Sequence, residues 1–316
     1  MLNVIMCVYN NIEVAGQSIT SVISQTNVPC KIILVDNHSF DSRTRDYLKK
    51  IPGFQEDITV VDPGKNLGCH WGWNFGFQHT KRDYPFTCKI DDDTIVPPNW
   101  ASTMINAHKI WWKHKQKAIG ILGANIDCRN DGPGEVINLD GYLFEIPPVI
   151  ISFSCVMFLT DMIYELGPMR GSNYRTALGR NIVSDQGENL YGGEETYYLD
   201  LVRKKGYGAF WLQNVLVHHI DTSKKDWNYL LWKFSYGYLG LMRKNFDEFM
   251  QDSNLVQQSW QHLIRSRIVN PQCVWYGESV DHVVEAFRQI CIQRGWNFHQ
   301  LLENIKEYKK YKEENI

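Results

Sequence analysis

The stretch FTCKIDDDTIVPPNW, Phe86 to Trp100, ends an apolar run on three adjacent carboxylates, Asp91, Asp92 and Asp93. Neighbouring like charges repel, so the triplet is a poor choice for stability alone. A hard divalent cation on oxygen ligands, Mn²⁺ or Mg²⁺, would offset that repulsion and could carry a diphosphate. If the segment stays extended, residues i and i+2 share a face, so that Asp91 and Asp93 would point one way and Asp92 the other. An acidic helix cap before Pro97 is the competing reading, but a cap needs one carboxylate, not three.

Further groups with chemistry lie along the chain. YGGEETYY places Glu194 and Glu195 at a Gly-Gly turn that opens a helix, where the dipole of the first turn favours anions. One of the pair could take the proton of an attacking hydroxyl, and helical spacing lets only one point at it. A solvated capping pair is the alternative. VLVHHID puts His218 and His219 at the end of an apolar run, and neutral imidazole is a good ligand for Mn²⁺. Asp36, in VDNHS, ends another such run, as a ligand contact or as a turn-forming residue. In the turn GKNLG, Gly68 suits close approach of backbone to a ligand, while Lys65 and Asn66 could hydrogen-bond a base or ribose. HKIWWKHKQK, residues 108–117, mixes basic and aromatic side chains on an expected helix. It suits a polyphosphate, a nucleic acid or a membrane surface, though a solvated face with partly buried Trp111 and Trp112 is the plainer reading.

These groups need a frame that brings distant positions together. The first hundred residues alternate strand and helix signals: NVIMCVY, a helix over 13–26, KIILVDN, a helix near 41–50, DITVVDP, a helix around 70–80, then YPFTCKIDDD. The pattern predicts an α/β fold with a mixed, mainly parallel central sheet. Ligands in such sheets gather beyond the carboxyl ends of the strands, where Asn10, Asp36 and Asp91 to Asp93 all fall. A helix over 99–115 and the strand AIGILGA follow. Residues 134–160 read as strands for antiparallel or mixed pairing, and 171–190 as a long loop that could order over bound ligand. From about Asp226 the chain is helical, with apolar residues at i, i+3 and i+4. Two regions are expected, 1–222 and 223–316, the second serving acceptor binding or oligomerisation.

The bulk composition excludes little but is consistent. Of 316 residues, 44% are hydrophobic and 22% charged, as in ordinary globular proteins. A net charge of -2 gives no general attraction to nucleic acid or anionic membrane. The eight cysteines lack C-x-x-C spacing and several sit in apolar runs, which predicts buried free thiols in a reducing compartment. The start, MLNVIMCVYNNIEV, lacks a basic leader region, and no apolar run reaches the ~20 residues that span a bilayer. The expectation is a cytoplasmic protein with no integral membrane segment, whose membrane contacts would be peripheral.

Six blocks, VIMCVYNN, ILVDNHSFDS, KNLGCHWGWNFGF, IDDDT, GGEETYYLDLVRKKGY and VLVHHID, occur in the order found in family 2 glycosyltransferases of the GT-A fold, and the chain resembles that family over residues 3 to about 222. The resemblance implies inverting transfer of a sugar from a nucleotide diphosphate donor, UDP-linked by expectation, to a hydroxyl acceptor, with a divalent metal on the diphosphate. It assigns Asp93 and His218 to the metal, with His219 competing, and Asp36 and Asp91 to the nucleoside. Asp92 would support a neighbouring turn or basic residue at the donor. Tyr9, Asn10 and Asn74 match donor-side positions. Glu195 falls at the base and Glu194 at an acceptor hydroxyl, although the family often has Asp where Glu195 stands, which keeps both as candidates. A glycan is the expected acceptor, with hydroxylated bases in DNA as the alternative. Nucleotidyl transfer and non-catalytic nucleotide-sugar binding are the other classes such residues could serve.

Overall fold

The structure is a computed structural model that describes residues 1–53, 57–127, 134–147, 151–169, 194–220, 227–228, 231–232, 235, 246–269 and 279–315. These fall into two compact units, one ending at Ile220 and the other formed by the described residues after it.

In the first unit, β1 (Leu2–Val8), β2 (Cys30–Asp36), β3 (Ile58–Val61) and β4 (Phe86–Asp91) alternate with α1 (Ile12–Gln25), α2 (Ser42–Lys50) and α3 (Cys69–Phe77). Then come β5 (Thr94–Ile95), α4 (Trp100–Lys115), β6 (Ile119–Ile126), β7 (Val136–Leu139), β8 (Tyr142–Glu145), β9 (Cys155–Leu159), α5 (Thr160–Leu166), α6 (Glu194–Lys204) and β10 (Gly208–His219). The strands form one mixed sheet in the order β3-β2-β1-β4-β9-β6-β10-β8-β7, with β5 paired to the end of β10. β1 to β4 pair in parallel, as do β6 and β10, while β9 runs antiparallel between β4 and β6. Two antiparallel steps restore direction, so β1, β2, β4, β6 and β10 all point the same way. Their carboxyl ends therefore line one edge.

Why the early strands sit inside follows from composition: Leu2, Val4, Ile5, Met6 and Val8 of β1 and Ile32 to Val35 of β2 are buried, since a parallel strand covered on both faces wants apolar residues throughout. Helix α3 lies close to them because it is notched. A methyl group on Gly72 would meet Cys7 Sγ at 2.4 Å, and one on Gly76 would meet Ile5 Cγ2 at 2.6 Å and Val35 Cγ2 at 2.8 Å. The glycines are four residues apart, on one helical face. Beside them Trp73 is fully buried, stacked on Phe77 and tilted against Phe158. Trp111 of α4 fills the space beside Phe210 and Phe144, at centroid distances of 4.1 and 5.0 Å.

The second unit has α7 (Phe246–Gln251), α8 (Ser253–Val269), α9 (Val280–Arg294), α10 (Phe298–Glu303) and α11 (Lys306–Asn315). Its core is Trp260 stacked on Phe287 at 5.4 Å, with Leu263, Ile264, Val283 and Cys291 buried around them. Helix α9 is bounded as its sequence suggests. Ser279 accepts the His282 N–H at one end, and Gly295 takes φ 66° at the other. Among the described residues, no helix is long and apolar enough to cross a membrane. Cys7, Cys30, Cys69, Cys88, Cys155 and Cys291 are free thiols.

Candidate active site

The acid triplet does not remain extended. Strand β4 ends at Asp91, and Asp92 and Asp93 form a turn before β5, so the alternation expected for Asp91 and Asp93 does not apply. Each carboxylate takes a different partner. Asp91 pairs with the ammonium of Lys89, two residues back on the same face of β4. The Lys89 side chain is only 4% exposed, and its Nζ also donates to the Phe153 carbonyl at 2.9 Å. Asp92 Oδ2 accepts the Tyr9 N–H at 3.2 Å, which secures the turn after β1. Asp93 Oδ2 lies 3.2 Å from His219 Nε2, and the Asp93 carbonyl accepts the Ile220 N–H at 2.7 Å. One oxygen of Asp91, the residue expected at the ribose, is thus held by an internal cation.

The histidine pair divides by strand geometry. His218 and His219 pair with Ile95 and Thr94 across β5, and adjacent residues of an extended strand point to opposite sides. His219 turns to Asp93, whereas His218 turns to Asp127, whose Oδ2 meets its Nδ1. The resemblance gave the metal role to His218 with His219 competing, and of the two it is His219 that faces Asp93. His218 is 64% exposed on its side chain against 26% for His219. Asp127, just past β6, also accepts the His219 N–H through Oδ1 at 3.1 Å. Partial desolvation pushes its carboxyl up. The His219 N–H and the His218 ring outweigh that and hold it below the usual carboxylate range.

On the other side of β4, three loops are tied together. Asn10 takes φ 58°, and its Oδ1 accepts the N–H groups of Phe40 and Asp41 at 3.0 and 3.1 Å. Its own N–H donates to Ser39 Oγ at 3.0 Å, and the Tyr9 ring meets Phe40 edge-on at 6.1 Å. Asp36, 6% exposed, uses Oδ1 to accept the Ser39 N–H at 2.8 Å, a turn role.

Asn37 was missed by sequence reasoning. It is 3% exposed, donates to Asn66 Oδ1 and to the Gly68 carbonyl, both at 3.0 Å, and accepts the Leu67 N–H at 2.9 Å. An Asn directly after a strand-ending Asp was the available signal. Asn66 also accepts the Gly68 N–H at 2.8 Å, and Gly68 takes φ 77°, a conformation that favours glycine. Lys65 is exposed in the same turn.

Asn74, expected on the donor side, is tied to the backbone after α5. Both ends of its amide are bound to the Met169 backbone, at 2.7 and 2.9 Å, and it is 7% exposed.

Helix α6 starts at Glu194, and Glu195 is half-buried in its first turn. The helix packs on β6 and β10 through Leu199 and Val202, while Tyr198 meets Phe158 edge-on at 5.7 Å and donates to the Gly167 carbonyl at 3.3 Å. The Glu194 side chain, the Gly-Gly turn and the expected loop over 171–190 lie outside the described residues. In the basic stretch at the end of α4, Trp111 is core and Trp112 is 53% exposed, while Lys113 and His114 both contact Asp140.

Comparison with known proteins adds the following. Residues 3–110 match the family model described as glycosyl transferase family 2. A curated relative from Haemophilus influenzae, described as an uncharacterized glycosyltransferase, is 29% identical over 105 residues, and the match spans 33% of this chain and 32% of that protein. Among solved structures, the mannosyltransferase PcManGT from Pyrobaculum calidifontis, in complex with GDP-Man and Mn²⁺, superposes with a TM-score of 0.52 at 12% identity, over 97% of this chain and 84% of that one. Residues 1–349 of TarS from S. aureus give a TM-score of 0.48 at 14% identity, over 91% of each chain.

Proposed function

We propose, from the match of residues 3–110 to the glycosyl transferase family 2 model and from the GT-A-like α/β fold, that the chain transfers a sugar from a nucleotide diphosphate donor to a hydroxyl acceptor, with inversion. The observation that carries the reading is the convergence of Asp93 and His219, 3.2 Å apart, at the strand edge shared with Asp36 and Asn37.

The donor set fits a divalent cation. A carboxylate oxygen and an imidazole nitrogen suit Mn²⁺, and the oxygen suits Mg²⁺. Among the described residues no group of three or more such ligands occurs, so the diphosphate and water would complete the shell. When bound, the cation would supply Lewis-acid neutralisation of the charge that builds on the departing diphosphate. The GDP-Man and Mn²⁺ held by PcManGT support this assignment by analogy of fold.

The protein's own groups do the rest. Asp36 keeps its second carboxylate oxygen for the base or ribose, beside the backbone of Tyr9 and the Asn66–Gly68 turn, where Lys65 can reach a donor oxygen. The Asn10 and Asn37 hydrogen bonds hold those turns in place before donor arrives, which lowers the ordering cost of binding. Glu195 takes the acceptor hydroxyl's proton as the oxygen attacks the sugar carbon opposite the diphosphate, and Glu194 orients the acceptor. The proposed donor is UDP-linked and the proposed acceptor a glycan.

The test is donor consumption across UDP-, GDP- and dTDP-sugars with Mn²⁺ or Mg²⁺, and with EDTA. Metal-dependent release of one nucleoside diphosphate is expected. Full-rate consumption in EDTA, or pyrophosphate release from a nucleoside triphosphate, would overturn the assignment.

A further inference from the structure

Lys89 is not explained by packing. It sits in β4 between buried Cys88 and Ile90, and its register neighbours are Ile5 on β1 and Val156 on β9. An apolar side chain is the ordinary choice at such a place, because taking an ammonium out of water costs several kcal/mol before any partner is counted. Here the partners are Asp91 and the Phe153 carbonyl, and the side chain is 4% exposed. Its consequence is electrostatic. Without Lys89 the triplet would hold three negative charges beside the proposed cation position; with it the local balance is two. It also draws one Asp91 oxygen away from that position. The remaining carboxylates differ in geometry, since Asp92 is turned to Tyr9 and Asp93 to His219.

We propose that Lys89 sets the charge of the acid triplet so that the divalent cation binds together with the nucleotide diphosphate and not ahead of it. This rests on the sugar-transfer reading above. A site with one carboxylate and one imidazole directed at the cation holds it weakly alone. The same reduced charge repels an incoming diphosphate less than a site of three uncompensated acids would. Lys89 touches no reacting atom, so it is a positioning residue whose effect is on binding order.

The experiment is Lys89→Met in the full chain, with two affinities measured. Mn²⁺ alone is followed by the electron paramagnetic resonance of the free ion, and UDP alone by calorimetry in EDTA. Removing one positive charge should raise Mn²⁺ affinity and lower UDP affinity, each by roughly tenfold for a single charge near the site at intermediate dielectric. Mere structural damage would lower both. The double variant Lys89→Met/Asp91→Asn restores the wild-type charge and leaves no buried unpaired acid, so both affinities should return to within about threefold of wild type. It also carries the test should the single variant not fold. In that event a double variant that binds Mn²⁺ roughly tenfold tighter than wild type would overturn the role of Lys89. In folded variants, two affinities that move together, or do not move, would do the same while leaving sugar transfer intact. A wild-type protein that binds neither Mn²⁺ nor UDP would remove the sugar-transfer reading and this inference with it.

Discussion

Two histidines make the first unit's stability dependent on pH in a calculable way. His108, in α4, is 7% exposed with its ring 5.0 Å from Phe86, and His70, in α3, is 1% exposed beside Trp71. Burial pushes His108 down to about 3 and His70 down to about 4. An unfolded chain would protonate both near the ordinary value of about 6.5. As pH falls below about 6.5 the unfolded state takes up protons that the folded state refuses. Stability is therefore complete above that value and is lost progressively toward pH 4. Each group contributes a slope approaching about 1.4 kcal/mol per pH unit, and the pair about 2.7. Against a typical domain stability of about 5–15 kcal/mol, one pH unit is a substantial fraction. The assay is urea unfolding followed by tryptophan fluorescence at several pH values between 5 and 6, above the range where depressed carboxylates such as Asp127 contribute. His108→Leu should remove about half the slope. An unchanged slope in that variant would refute the claim that His108 is held neutral by burial.

Three other outcomes bear on the site. His219→Ala should abolish Mn²⁺-dependent UDP binding, whereas His218→Ala should leave it within a few-fold, read by calorimetry with and without metal; the reverse ranking would return the metal to His218. Glu195→Gln should keep UDP and Mn²⁺ affinity but lose about 10²- to 10⁴-fold in transfer rate, the usual range for a general base. If Glu194→Gln is the damaging change, the two acids exchange roles. Asn74→Leu removes both hydrogen bonds to Met169 and should lower stability by about 1–3 kcal/mol in chemical denaturation, through buried backbone groups left without a partner.

What could be read from the sequence followed from short-range pattern. The runs NVIMCVY and KIILVDN are buried strands because continuous apolar residues suit a covered parallel sheet, and the order of blocks carried the resemblance. Side-chain direction was less legible. The period-two rule gave a false expectation at Asp91 to Asp93, where the backbone turns, and the right physics at His218 and His219, where it stays extended. Nothing in VLVHHID says which histidine faces inward. That depends on the pairing of β10 with β5 and on Asp127, about ninety residues away in sequence. Asn74 and Asn37 were hidden for the same reason, because their partners Met169, Asn66 and Gly68 are brought near only by the fold.

The triplet that opens the problem has a more specific answer than a single cation. Its repulsion is relieved three times over by protein groups, an ammonium, a backbone N–H and an imidazole. Of these, the imidazole is the one that the proposed site asks to share its carboxylate with a metal. Lys89 is sealed inside the sheet, and the Tyr9 N–H belongs to the turn that Asn10 also holds. His219 sits at the end of β10, with its ring against Asp93. On the proposed reading a cation held by Asp93 and His219 would replace that one interaction and leave the other two in place, so that the three acids would provide one exchangeable position and two that fix it.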